Sequence, residues 1–196
     1  MRVFYILAKR NQVFYLFSHQ LNELIMKNIS IISKIFASLS LVAGAIWVGA
    51  YLSRLFLVYQ LFEGPDLILK SYINNENVNG ILFSILPSFV VHFIAYIIMV
   101  LTTIVFYATS KISLRFNGWL FIILIAILIT MPFEIYLMLI DYKIIMMLNS
   151  GSFDSNTVIS LLRDRIKDLS SYSIVAILTY LSFYYFIVFQ PLAKKD

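Results

Sequence analysis

Four long apolar runs, at about 35–62, 81–109, 118–140 and 172–189, constrain this chain more than any other feature. A helix needs about 20 mostly apolar residues to cross the hydrocarbon core of a bilayer, and each run is of that order. The 196-residue chain is 61% hydrophobic and 13% charged, with a mean hydropathy of +0.90. In water it would expose apolar patches far larger than soluble monomers tolerate. Disorder is excluded too, because it needs low hydrophobicity. The predicted fold is therefore an all-α integral membrane protein, a four-transmembrane-helix bundle forming one domain over 35–191. A cytoplasmic N-terminal arm (1–34), mixed and aromatic-rich and suited to lying on a membrane surface, precedes it, and a short tail (192–196) follows.

Orientation is read from the loops. Arg2, Lys9, Arg10, Lys27, Lys34, Lys111, Arg115, Lys194 and Lys195 fall on one side, opposed only by Glu23 and Asp196. The other side carries Lys70, Lys143, Arg163, Arg165 and Lys167 against Glu63, Asp66, Glu76, Asp141, Asp154, Asp164 and Asp168. Lys and Arg concentrate in cytoplasmic loops, so both termini are expected in the cytoplasm. Heavy use of Ile, Asn, Lys, Phe and Tyr fits an AT-rich bacterial genome and hence a bacterial inner membrane. Within the outer segment, 154–169 reads as an amphipathic helix capped by Asp154 or Ser155. Val158, Leu162, Ile166 and Leu169 form its apolar face, with Arg163, Asp164, Lys167 and Asp168 elsewhere on the wheel.

Counting narrows the chemistry. The chain has no cysteine, which excludes disulfides, thiolate metal sites and cysteine nucleophiles. Two histidines, His19 and His92, are too few for an all-imidazole metal cluster. A membrane haem would want two axial histidines, and only His92 lies inside a run. No zinc-protease, serine-hydrolase or phosphate-loop motif is present, and no clustered basic face suits nucleic acid. No cofactor, metal or catalytic residue is expected, and the chain is expected not to be an enzyme.

The sharpest signal is charge inside the runs, where an ionisable group costs at least ~2.5 kcal/mol at the bilayer centre before it finds a partner. Arg54, His92 and Glu134 lie roughly 12, 16 and 10 Å below the outer boundary at 1.5 Å per residue. Three helices thus contribute to one polar layer. The simplest chemistry is an Arg54–Glu134 ion pair with His92 as a third member, serving either helix register or a site for an anion, substrate or proton. Tyr51 shares a face with Arg54, and Ser84, Ser88, His92 and Tyr96 recur every four residues around Pro87. Thr130 lies one turn before Glu134, and Tyr180 reaches a similar depth. Glu134 and Asp141, seven residues apart, fall on nearly one face about 10 Å apart.

Ala45, Gly49 and Ser53 repeat every four residues, a small-residue face that lets a second helix approach closely. It is expected to serve packing inside the bundle rather than homodimerisation. The expected role is a non-catalytic accessory or assembly subunit of a membrane complex. The alternative is a small transporter or channel-like protein using the Arg54, His92 and Glu134 layer. Its partners are the lipid bilayer and other membrane subunits or a second copy, with no nucleic acid.

Overall fold

A computed structural model describes residues 29–168 and 171–193. The first 28 residues of the expected N-terminal arm, Leu169 of the amphipathic face, and Lys194 and Lys195 lie outside them. The described chain is mostly helical. Its order is α1 (Ile31–Tyr59), β1 (Phe62–Glu63), β2 (Ile68–Leu69), α2 (Val78–Ser110), α3 (Gly118–Asn149), α4 (Ser155–Lys167) and α5 (Tyr172–Phe189). Four of these helices, α1, α2, α3 and α5, are long and apolar enough to cross a membrane. They pack in a closed circuit, α1 on α2, α2 on α3, α3 on α5 and α5 on α1.

Local chemistry explains the helix ends. Ser30 caps α1, its hydroxyl accepting from the Ser33 backbone N–H at 3.2 Å, so residues 31–34 belong to the first helix and not to an arm. The first apolar run extends to about 62, but α1 ends at Tyr59. Gly64, at a φ of +67°, instead turns a short antiparallel hairpin pairing Phe62 with Leu69 and Glu63 with Ile68. The left-handed backbone that glycine supplies there is what a tight turn demands. The third helix runs nine residues past the expected 140, ending only before Ser150 and Gly151. Asp154 caps α4 by accepting from the backbone N–H groups of Asn156 and Thr157. The bonds from the Thr157 hydroxyl and the Asn156 N–H hold its carboxyl below the usual carboxylate range.

Two apolar clusters form the core. One collects Trp47, Tyr51, Ala95, Tyr96, Ile123, Met138, Ala176 and Tyr180 toward the end where α1 begins and α5 finishes. The other collects Val58, Phe62, Ile85, Phe89, Ile144, Leu148, Val158 and Leu162, joining the hairpin and α4 to the opposite end. The outward faces remain apolar: Leu101, Ile129, Leu139 and Leu178 are each more than half exposed. That inversion suits a chain whose solvent is hydrocarbon.

The small-residue face departs from expectation. Ala45, Gly49 and Ser53 point out of the helix circuit, and a Cβ added at Gly49 would meet nothing within 4 Å. The inward face of α1 is instead Trp47, Tyr51, Arg54 and Val58, because aromatic and charged groups have partners only inside. The close approach occurs at Gly44, where an added Cβ would lie 3.4 Å from the Met99 sulfur.

The packing of α4 can be tested by truncation. Leu162 is fully buried and Leu139 faces outward. Leu162→Ala is expected to cost about 3 kcal/mol, and Leu139→Ala less than about 0.5 kcal/mol. Reversible unfolding in mixed detergent micelles measures both.

Candidate functional site

The polar layer sits where the two apolar clusters meet. On α1 it falls between Tyr51 and Val58, on α2 between Phe89 and Ala95, and on α3 between Met138 and Ile144. Arg54, His92 and Asp141 are buried there, and Glu134, two turns before Asp141 on α3, is buried beside the first cluster; His92, Glu134 and Asp141 have essentially no exposed side chain.

The ion pair differs from the expected one. Arg54 donates from Nη1 to Asp141 Oδ2, not to Glu134. Asp141 also accepts a 3.0 Å bond from Nε of Arg165, which α4 sends into the layer. One carboxylate is therefore shared by two guanidiniums, an arrangement suited to arginine because its charge is permanent and its donors are rigidly splayed. The Arg54 guanidinium carbon also lies 4.8 Å from the centre of the Tyr51 ring and 5.3 Å from that of Phe89. Burial opposes the charge on Arg165, but the Asp141 carboxylate and then Tyr51 more than offset it, holding that guanidinium above its usual value.

Asp141 and Arg165 were both expected outside the layer, among the loop charges. Each had a signal. Asp141 lies seven residues from Glu134, so burial of one face of α3 takes both. Arg165 continues the apolar row of Val158 and Leu162 at helical spacing, and all three are buried. A charge at a helix end reads as the end of a span, yet here the paired Asp141 is carried inward by its helix.

A second group of polar atoms, in and beside the layer, has no hydrogen-bond partner among the described residues. Both ring nitrogens of His92, both carboxyl oxygens of Glu134, the Tyr96 hydroxyl and the Trp47 indole N–H are buried and unpaired among the described residues. One Nη of Arg165 is likewise free. His92 lies 4.0 Å from Asp141 Oδ2, too far for a hydrogen bond. Both arginines, and the Tyr172 hydroxyl that donates to the Thr130 carbonyl, are near enough to act on Glu134. Rings close the site: Trp47 stands 5.6 Å from His92, 5.2 Å from Tyr51, 5.7 Å from Tyr96 and 4.4 Å from Tyr180, centre to centre.

The remaining candidates divide. Tyr51 donates to Ser173 at 3.1 Å, and the Tyr180 hydroxyl lies 3.3 Å from the Thr130 hydroxyl, which itself bonds the Ala126 carbonyl. Tyr172 donates to the Thr130 carbonyl at 2.9 Å, tying α5 to α3 just before Pro132. Ser84 is exposed and Ser88 half-buried, and each spends its hydroxyl on its own helix, at the carbonyls of Ile81 and Ile85. A row at every fourth residue drifts about 40° per step on a 3.6-residue helix. Only the His92–Tyr96 part of that stripe therefore faces inward, and the buried row is Leu82, Ile85, Phe89, His92 and Tyr96.

Compared with known proteins, the chain matches no protein-family model, no curated protein and no solved structure.

A double-mutant cycle reads the pairing. Asp141→Asn leaves two buried guanidiniums without their counter-charge and is expected to cost about 3–5 kcal/mol. Combining it with Arg54→Gln should recover about 1–3 kcal/mol relative to additivity. The Arg54→Gln, Glu134→Gln cycle should recover less. Equal coupling in both cycles, measured by unfolding in detergent, refutes the assignment of Asp141 as the partner.

Proposed function

We propose that this chain is a small transport protein of a bacterial inner membrane, a bundle of four transmembrane helices that moves protons through the His92–Glu134 site. One observation carries the reading: an imidazole and a carboxyl are buried inside the helix circuit without hydrogen-bond partners among the described residues. Each unpaired buried polar group costs about 1–3 kcal/mol. A register device needs no such expense, since the Arg54–Asp141–Arg165 link already joins α1, α3 and α4. Groups kept unpaired at that cost are suited to partners that come and go. Both His92 and Glu134 are protonatable, and intramembrane chains of such residues serve proton relays. Catalysis fits less well, because among the described residues His92 is hydrogen-bonded to no hydroxyl it could activate.

The loop charges support a topology with both termini cytoplasmic and the hairpin and α4 outside. On that topology α4 covers the outer end of the site and supplies Arg165 from above. A second reading, an accessory subunit of a larger complex, draws on the outward face of Ala45, Gly49 and Ser53, which would admit a foreign helix closely. Purification in mild detergent separates the two: partners at fixed stoichiometry favour the subunit.

Transport is tested in proteoliposomes enclosing a pH-sensitive dye. The wild-type protein should dissipate an imposed pH gradient faster than empty liposomes. Glu134→Gln and His92→Gln should each slow that rate by about tenfold, equivalent to roughly 1.4 kcal/mol, without loss of folded protein. Wild-type rates equal to those of empty liposomes overturn the proposal. Topology is tested separately on the cysteine-free chain. A thiol from Ser152→Cys should label from outside intact cells, and one from Ser113→Cys only after permeabilisation.

A further inference from the structure

A separate, partly open cavity of about 330 Å³ lies on the other side of Trp47, lined by α1, α2, α3 and α5. Its size is at the lower end of small-molecule sites. It runs along α1 from Lys34 to Val48, fourteen residues or roughly 21 Å of helix. Its walls are apolar: Leu41, Met99, Phe106, Ile123, Phe183 and Ile187. Most polar groups on those walls are already spent. Ser40 bonds Thr103 at 2.6 Å, and Tyr107 donates to the Leu120 carbonyl at 2.7 Å. Tyr184 reaches the Leu41 carbonyl at 3.4 Å.

Two unspent donors lie toward one end. Trp119, at the start of α3, is only 5% exposed, yet its indole N–H has no partner among the described residues. Lys34, in the first turn of α1, has no acidic partner among them either, with Ser38 and Gln190 on the same wall. Among the described residues no carboxylate lines the cavity. An ammonium and an indole donor at one end of a long apolar slot complement a molecule with one anionic end and one hydrocarbon chain. The slot is slightly longer than the hydrocarbon depth of one leaflet, about 15 Å.

We propose that this cavity binds a single-chain acidic lipid, its carboxylate held by Lys34 and Trp119 and its tail reaching Val48 and Tyr180. The volume suits one chain. Tyr180 lines the slot and its ring centre lies 4.4 Å from that of Trp47, so the tail ends against a ring packed on the one that borders His92.

The test uses the full-length protein in detergent and cis-parinaric acid, a fluorescent fatty acid that accepts energy from tryptophan. Binding should quench the two tryptophans saturably. A charge-assisted hydrogen bond contributes about 1.5–3 kcal/mol, so the corresponding alcohol should bind about tenfold more weakly or worse. Lys34→Glu should weaken the acid by a similar factor and leave the alcohol unchanged. Ala37→Trp, which places a bulky ring in the slot, should abolish saturable quenching by both. Equal affinity for acid and alcohol on the wild-type protein overturns the proposal, and this comparison needs no variant to fold. So does unaltered binding by Lys34→Glu, or by Ala37→Trp with wild-type helicity.

Discussion

A single carboxylate shared by two arginines, deep among apolar side chains, is the constraint on which the rest of this molecule depends. Asp141 binds Arg54 across 87 residues of chain and Arg165 across 24. In a low-dielectric interior none of the three charges is tolerable alone. Their meeting therefore sets the rotation of α1 against α3 and the depth to which α4 sinks. The two apolar clusters lie on either side of this link, and a shift of one helix by a turn would leave a guanidinium facing hydrocarbon.

Next to that satisfied link lies an unsatisfied one. His92, Glu134, Tyr96 and the Trp47 indole share the layer but not its bonds. The contrast separates two roles within one constellation: ions that lock the helices, and polar groups left available. Trp47 stands between this layer and the lipid-sized slot toward the termini, in ring contact with both His92 and Tyr180. Any displacement of that ring would be felt on both sides, because close-packed interiors transmit strain rather than absorb it.

Much of this was legible from particular residues. The long apolar runs marked the four helices because each must satisfy its own backbone in hydrocarbon. Charge and imidazole inside those runs marked Arg54, His92 and Glu134, and all three side chains are buried. Asp141 and Arg165 were harder to see, since charges near a boundary ordinarily seek water. The i, i+7 relation to Glu134 and the i+7 position after Val158 were the cues. Ala45, Gly49 and Ser53 misled because a small-residue row says that a helix can approach closely, not which helix does. Ser84 misled through geometry, the every-fourth-residue row turning steadily away from the interior.

The sequence by itself determined the four long apolar helices and the spacing of the polar groups along each, because position along a helix axis is a one-dimensional quantity counted at fixed rise. Tertiary structure alone decided which groups touch. Partnership depends on rotation about that axis and on how α1, α3 and α4 approach one another, and both follow from the packing of all helices together. Arg54 could have met either of two carboxylates seven residues apart on one face of α3. The second arginine, delivered by α4 to Asp141, decided between them and left Glu134 unpaired.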